Sequence, residues 1–211
     1  MRPAPGLFET MRAEGGRVGH LDRHLDRLVA SAAAFGIPAD RAALARRVQD
    51  AIASASGPLR VRLDLDPEGR VRVEARPLAA RPFRTVWICP DALDEAGGPL
   101  CRHKTTRRDH YERPYRSALD RGADEAILLN AAGEVVEGTR TSVWIASGGK
   151  LWTPPLDAGG LPGVMRAHLL ASRADTGEAT LTRDDLEGAD AVWVSNALRG
   201  LMPVRLLSLG A

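Results

Sequence analysis

The sequence predicts an α+β protein in two parts. Apolar and charged residues alternate on both sides of a turn at residues 59–75, which is typical of a β-hairpin with one buried face. Short strand patterns separated by turns fill residues 85–209, with few regular strand–helix alternations. Residues 77–82 contain two prolines and small side chains and are typical of a linker. We therefore divide the chain into residues 1–78 and 79–211.

The first part begins with a strand and continues with two helices. Residues 7–12 alternate loosely, and the glycine pair that follows favours a hairpin turn. Apolar residues then recur at helical spacing from Leu21 to Phe35, where a Gly-Ile-Pro segment ends the pattern. Asp40 is suited to cap a second amphipathic helix that ends near Gly57.

The second part is predicted to hold mostly short strands. Its helices cover residues 109–120, with Pro114 in the first turns because proline is poorly tolerated in a helix interior, and a stretch from Gly163 to about Arg173. The predicted strands are 85–88, 126–129, 134–136, 141–146, 191–195 and 204–209.

Composition narrows the class of protein. Hydrophobic residues make up 44% of the 211 residues and charged residues 27%, with a formal net charge of only +2, which does not indicate a nucleic-acid-binding protein. No apolar run reaches the roughly 20 residues of a membrane span, and no signal core follows the N-terminus, so we expect a cytoplasmic protein. Cys89 and Cys101 are too far apart for a C-x-x-C motif.

Lys104 is the first candidate for chemistry. It follows a Gly-Gly-Pro loop and precedes a helical pattern, so the fold can direct its amine into a cleft. Burial and the nearby cations Arg102, Arg107 and Arg108 are expected to lower the pKa of that amine, which suits it to form a Schiff base with an aldehyde cofactor. Taken alone, Lys104 is better described as one more solvated cation, because most lysines are exposed.

Segments along nearly the whole chain support the first alternative. In order, they are Leu7-Phe-Glu-Thr-Met-Arg12, His24-Leu-Asp-Arg-Leu28, Lys104, Gly122-Ala-Asp-Glu-Ala-Ile-Leu-Leu-Asn130, Glu137-Gly-Thr-Arg140, Thr153-Pro-Pro-Leu156, Leu161-Pro-Gly-Val-Met-Arg166 and Ser195-Asn-Ala-Leu-Arg-Gly-Leu-Met-Pro-Val204. This series resembles the class IV aminotransferase family, the pyridoxal-phosphate enzymes of the branched-chain and D-amino-acid aminotransferase fold. The last segment looks most like the aminodeoxychorismate lyase branch.

The resemblance implies a fold and an assembly. It implies a small N-terminal α/β domain and a larger C-terminal β-barrel-like domain that carries the cofactor lysine. It also implies a homodimer that binds pyridoxal 5′-phosphate and acts on a small-molecule substrate.

The resemblance also assigns roles to individual residues. Lys104 is the position of the catalytic lysine that condenses with the cofactor aldehyde. Glu137 is the position of the acid beside the pyridine nitrogen, where a carboxylate keeps that nitrogen protonated. The alternative for Glu137 is an ordinary solvent-facing acid. Arg27 matches the family's H-x-x-R-L arginine, whose fork suits a phosphate; the alternative is a surface charge beside Arg23.

Two further segments are candidates for the phosphate. Gly163, Val164 and Met165 lie where a helix begins, and free backbone N–H groups there bind anions. Ser195 and Asn196 end a strand and are suited to add a hydroxyl and a backbone N–H, although both are also common turn residues.

The chain departs from the family pattern at positions that bear on the substrate. Family members usually carry an extra N-terminal strand and an Asp-Arg-Gly…Gly-Asp-Gly segment, so part of the substrate pocket is expected to be missing or built differently. Arg107 and Ser142 stand where asparagine is frequent. Arg107, Arg199 and Thr10 are the candidates for substrate contact.

Three functions remain open at this stage. The first is a lyase resembling 4-amino-4-deoxychorismate lyase, which releases pyruvate and 4-aminobenzoate in folate biosynthesis. The second is an aminotransferase for branched-chain or D-amino acids, which begins with the same proton abstraction. The third is a degenerate, non-catalytic member of the fold. The sequence contains no P-loop, dinucleotide-binding or H-E-x-x-H motif, and we predict no metal site.

Overall fold

A computed structural model describes residues 4–53, 57–79, 81–93 and 95–207. Its contacts divide the chain into two compact units, the first covering the described residues before Arg81 and the second continuing from Arg81. His103–Arg107 belong to the first unit, whereas the sequence analysis assigned them to residues 79–211. The reason is strand-like pairing, because Thr105 bridges Leu7.

The first unit is a four-stranded antiparallel sheet with two helices against one face. The sheet order is β2-β1-β3-β4, and every second residue of the central strand β3 is buried. Apolar residues from the sheet and both helices form one core. The elements are β1 (Leu7–Glu14), β2 (Arg17–Val18), α1 (Leu21–Ala34), α2 (Arg41–Ile52), β3 (Leu59–Leu65) and β4 (Val71–Pro77).

The helix boundaries of the first unit follow the predicted signals with one difference. The carboxylate of Asp40 accepts hydrogen bonds from the backbone N–H groups of Ala42 and Ala43, which confirms the predicted cap of α2. Helix α2 ends at Ile52, earlier than the predicted end near Gly57, and residues 54–56 lie outside the described residues.

The second unit is built on an eight-stranded mixed sheet. Its order is β10-β9-β8-β11-β12-β5-β6-β7, with parallel pairs at β10–β9, β12–β5 and β5–β6. The elements are β5 (Thr85–Ile88), α3 (Pro99–Arg102), α4 (Asp109–Asp120), β6 (Glu125–Leu129), β7 (Val135–Gly138), β8 (Ser142–Ser147), β9 (Lys150–Thr153), α5 (Val164–Ser172), β10 (Thr176–Glu178), α6 (Arg183–Glu187), β11 (Ala191–Asn196) and β12 (Gly200–Leu206), with a short 3-10 helix at Leu156–Ala158.

This sheet curls into a half-barrel, and the predicted α+β fold with a barrel-like second part is confirmed. Strands β9 and β10 and helices α3 and α6 were not predicted. Helix α6 had a readable signal, because Thr182 and Asp185 form a capping box at its start. Strand β12 begins at Gly200, earlier than predicted, and residues 208–209 lie outside the described residues.

Two smaller points concern the helices. Pro114 lies within α4 as its sixth residue, in the second turn. Within the described part of the chain, no helix combines the length and apolar character needed to cross a membrane.

Candidate active site

Lys104 lies in the first unit, held against the edge of β1. The backbone N–H of Phe8 donates to the carbonyl of Lys104 at 3.0 Å, and that of Thr106 donates to the carbonyl of Gly6 at 2.8 Å. The Lys104 side chain is half-buried, and its Nζ lies 4.7 Å from the centroid of the Phe8 ring. The backbone pairing therefore holds residue 104 beside β1, a contact that the sequence alone could not show.

A second cation shares the Phe8 ring. The guanidinium of Arg62 on β3 lies 4.1 Å from the ring centroid and also forms an ion pair with Asp64. Thr10 is the cross-strand neighbour of Arg62, on the same face as Phe8 because side chains alternate along a strand. Two cations against the same aromatic ring suit an anionic ligand. Arg62 was not predicted as a site residue, because its only signal in the sequence is its place in the alternating pattern.

Arg27 lies on the opposite, helix-covered side of this sheet and forms a two-point ion pair with Glu9. Its Nε donates to Glu9 Oε1 at 2.7 Å and its Nη2 to Oε2 at 2.6 Å, while His24 Nδ1 lies 2.7 Å from Oε2. The Arg27 side chain is 11% exposed, so it is not the surface charge that was the alternative. The phosphate role of Arg27 stays a prediction, and Glu9 and His24 emerge as residues that orient it.

The ionisation of this trio follows from its burial. Burial would raise the pKa of Glu9, but Arg27 and the hydrogen bonds of Arg27 and His24 lower it to about 2. Burial lowers the pKa of His24 below its usual value, against the opposing effect of Glu9. At neutral pH, Glu9 is therefore charged and His24 neutral. His24 Nε2 has no hydrogen-bond partner among the described residues.

Glu137 lies on β7 in the second unit and is buried, 7% exposed. The hydroxyl of Tyr111 donates to its Oε1 at 2.5 Å. Arg108, at the start of α4, places its guanidinium 4.6 Å from the centre of the Tyr111 ring. Its Nη2 donates to the carbonyl of Thr139 at 2.6 Å. The alternative of Glu137 as a solvent-facing acid does not hold. Tyr111 was not predicted, and Arg108 was predicted only as a cation near Lys104.

The loop after Glu137 is organised by a second buried acid, Glu125. Its carboxylate accepts from the backbone N–H groups of Ala126, Thr139 and Arg140 at 2.9, 3.0 and 3.0 Å. It also accepts from the hydroxyls of Thr139 and Thr141. Burial raises the pKa of Glu125, although these donors oppose the shift. Glu125 thus fixes the loop that follows the candidate cofactor acid.

Substitution of Gly138 tests how tightly this loop is packed. A Cβ at this position would lie 2.2 Å from Thr141 Oγ1 and 3.2 Å from the carboxyl carbon of Glu125. We expect Gly138→Ala to lower the free energy of unfolding by about 1–3 kcal/mol, the usual cost of overpacking. Urea unfolding followed by circular dichroism measures it. Gly57→Ala, with nothing within 4 Å of the added Cβ, is the control; equal stability of the two variants would contradict the packing.

In the second unit, the residues predicted to bind the cofactor phosphate lie close together. Gly163 caps α5 without a side-chain hydrogen bond, which leaves the first N–H groups of the helix, including those of Val164 and Met165, for another acceptor. Its hypothetical Cβ would lie 2.6 Å from Ser142 Oγ. Ser142 is the cross-strand partner of Ser195, whose hydroxyl oxygen accepts from the indole N–H of Trp144 at 2.9 Å.

The remaining candidates are engaged in local structure. Asn196 Oδ1 accepts from the backbone N–H groups of Leu198 and Arg199 in the β11–β12 turn, so its side chain has a turn role. Arg199 Nε donates to the carbonyl of Arg81 at 2.8 Å. The carbonyl of Arg107 accepts from the Thr105 hydroxyl at 3.1 Å. These contacts do not test the predicted substrate roles of Arg199 and Arg107, which stay predictions.

A curled mixed sheet, a lysine pinned beside the first strand and a buried glutamate on a sheet strand define a known class of protein. The model of the family Amino-transferase class IV matches residues 6–207, and the chain belongs to this family. Its members are pyridoxal-phosphate-dependent aminotransferases or lyases.

Individual relatives carry the names of both activities. A Schizosaccharomyces pombe protein provisionally named aminodeoxychorismate lyase is 29% identical over 206 residues, covering 92% of this chain and 86% of its own. A Mesorhizobium loti crystal structure provisionally named amino-acid aminotransferase is 40% identical, with a TM-score of 0.87, covering 96% of this chain and 99% of its own. A Synechocystis protein provisionally named branched-chain-amino-acid aminotransferase is 35% identical over 92 residues. This alignment covers 42% of this chain and only 30% of the Synechocystis protein.

Proposed function

We propose that this chain binds pyridoxal 5′-phosphate, with Lys104 as the amine that condenses with its aldehyde and Glu137 as the carboxylate for its ring nitrogen. The residues present have the chemistry this cofactor needs. Lys104 supplies a half-buried side chain whose amine lies against the Phe8 ring, and Glu137 supplies a buried acid that accepts a hydrogen bond from Tyr111. The uncapped start of α5, with Ser195 nearby, and the guanidinium of Arg27 would hold the phosphate dianion.

Each residue has a definite task in the proposed reaction. The cofactor, when bound, withdraws electrons from the substrate carbon that bears the amine. Lys104 Nζ takes the proton from that carbon as general base. Glu137 holds a proton on the ring nitrogen by its negative charge. For the substrate carboxylate we propose Arg62, which lies with Lys104 against the Phe8 ring, and its cross-strand neighbour Thr10.

The function we favour is that of a 4-amino-4-deoxychorismate lyase, which yields pyruvate and 4-aminobenzoate. The observation that carries it is the S. pombe relative with this provisional name, because the alignment spans nearly the whole of both chains. The Ser195–Val204 segment, which forms the β11–β12 turn and strand, also resembles the lyase branch. A role in folate biosynthesis, in the cytoplasm, follows from this proposal.

Amino-group transfer to a 2-oxo acid is the second candidate. The M. loti protein favours it, because it is more similar in sequence and its length is almost completely covered. Both reactions use the same lysine as base, so the site residues above serve either one.

A two-arm assay separates the candidates. The purified protein, reconstituted with pyridoxal phosphate, is mixed with 4-amino-4-deoxychorismate in one arm and with single amino acids in the other. We expect pyruvate release in the first arm, with the cofactor spectrum returning to its starting form. Conversion of the cofactor to its amine form by an amino acid, without pyruvate release in the first arm, would establish the transferase instead. A protein that takes up no cofactor would refute both.

We also propose that the chain forms a homodimer, as the family resemblance implies. Light scattering coupled to gel filtration is expected to give twice the 22.6 kDa of one chain. A mass of one chain across the micromolar range would contradict it.

A further inference from the structure

Glu137 shares a buried cluster with Tyr111, Cys101 and Arg108 in the second unit. Tyr111 is 4% exposed and donates to Glu137 Oε1 at 2.5 Å. Cys101 is 1% exposed, hydrogen-bonds Tyr111, and has its thiol pKa raised to about 11 by burial. Arg108 lies against the Tyr111 ring. None of Tyr111, Cys101 and Arg108 was singled out as a cofactor contact by the sequence.

The phenol of Tyr111 is a permanent donor in this cluster. Burial raises the pKa of Tyr111, and the negative charge of Glu137 raises it further, so the phenol keeps its proton at any ordinary pH. A hydrogen bond given to a buried carboxylate stabilises its charged form and offsets the cost of burial. The positive charge of Arg108 acts in the same direction, since Glu137 attracts it.

We propose that Tyr111 is a positioning residue for Glu137: its phenol holds the carboxylate ionised and oriented toward the ring nitrogen of the cofactor. This inference rests on the proposed function, because it needs Glu137 to face that nitrogen. Tyr111 itself touches the carboxylate and acts through it. Its effect therefore falls on the part of the binding energy that depends on the ring nitrogen.

A cofactor analogue isolates the part of the binding energy that depends on the ring nitrogen. In 1-deazapyridoxal phosphate a C–H group replaces the ring nitrogen, while the aldehyde and phosphate are unchanged. Dissociation constants for pyridoxal phosphate and for the deaza analogue are measured on the apoprotein and on three variants, Glu137→Ala, Tyr111→Phe and Tyr115→Phe. Tyr115 lies one turn further along α4, against Arg140, and serves as the matched control.

The expected result is a pattern of preferences. The wild type and Tyr115→Phe prefer pyridoxal phosphate over the analogue, and Glu137→Ala loses this preference. Tyr111→Phe keeps its affinity for the analogue. Its preference for pyridoxal phosphate over the analogue falls by about tenfold or more, the usual effect of losing one hydrogen bond to a charged group. Phenylalanine keeps the ring that packs against Arg108, so only the hydroxyl is lost.

The contrary outcomes fall on different proposals. A wild type without the preference overturns the role of Glu137 and this inference with it. A preference that disappears in Glu137→Ala but survives in Tyr111→Phe overturns the inference alone, as does an equal loss of affinity for both ligands.

A second measurement covers a Tyr111→Phe variant that does not fold. The chain has two tyrosines, so 3-fluorotyrosine incorporated into Tyr115→Phe labels position 111 alone. Fluorination makes the phenol a stronger donor, and the preference for pyridoxal phosphate is expected to rise. An unchanged or smaller preference would overturn the inference.

Discussion

Lys104→Ala is expected to abolish the covalent attachment of cofactor and to reduce turnover by about 10²–10⁴-fold, the range that one general base contributes. The reason is that the substitution removes the amine held over Phe8, while the backbone pairing of residues 104–106 with β1 does not depend on the side chain. The fold should therefore survive. Borohydride reduction after incubation with pyridoxal phosphate, followed by peptide mapping, measures attachment directly.

The sequence offers an unusually clear control for this experiment. Lys104 and Lys150 are the only two lysines of the chain. Lys150 is exposed at the start of β9, with its Nζ 5.7 Å from the centre of the Trp152 ring. Lys150→Ala is expected to retain labelling and turnover. Label on Lys150 and not on Lys104 in the wild type, or full turnover in Lys104→Ala, would refute the assignment of Lys104 as the catalytic lysine.

Local sequence signals were sufficient for most of the fold. The alternation at residues 59–75 gave the β3–β4 hairpin because one face packs on helices and the other does not. The 3.6-residue stripes gave α1 and α2 for the same reason. Strand β10 was missed because two of its three residues are only partly buried and the third is exposed. It also pairs in parallel with β9, a long-range contact without a local pattern.

The partners of the candidate site residues were harder to predict than the residues themselves. Arg27 and Glu137 are recognisable by motif, yet Glu9 and Tyr111 lie 18 and 26 positions away from them. A carboxylate facing the helix side of a strand pattern is the one local sign at Glu9, since its neighbours on that face are Leu7 and Met11. Tyr111 gives no such sign, because an aromatic residue on a helix is usually core.

Glu9→Ala is expected to have the largest effect on stability, lowering the free energy of unfolding by about 3–5 kcal/mol. Removing one partner of a buried ion pair leaves the other charge uncompensated. Here the guanidinium of Arg27 loses both acceptors of its fork, and His24 loses its partner at Nδ1. Urea unfolding at neutral pH measures the loss. Glu14→Ala on the same strand breaks the exposed pair with Arg12 and should cost less than about 1 kcal/mol.

The same trio predicts how stability depends on pH. The pKa of Glu9 is lowered to about 2 from a usual value of 4.5, so its contribution is fully present above pH 4.5 and is lost as the pH falls toward 2. The pKa of His24 is lowered from 6.5 by burial, so below pH 6.5 the unfolded chain takes up this proton more readily, and stability falls in the same direction. Unfolding free energy measured from pH 7 to pH 3 should therefore decrease. Below pH 4.5 the decrease should be shallower in Glu9→Ala, because this variant lacks the carboxyl group that titrates there. Parallel curves for the wild type and the variant would show that the contacts with Arg27 and His24 do not lower the pKa of Glu9.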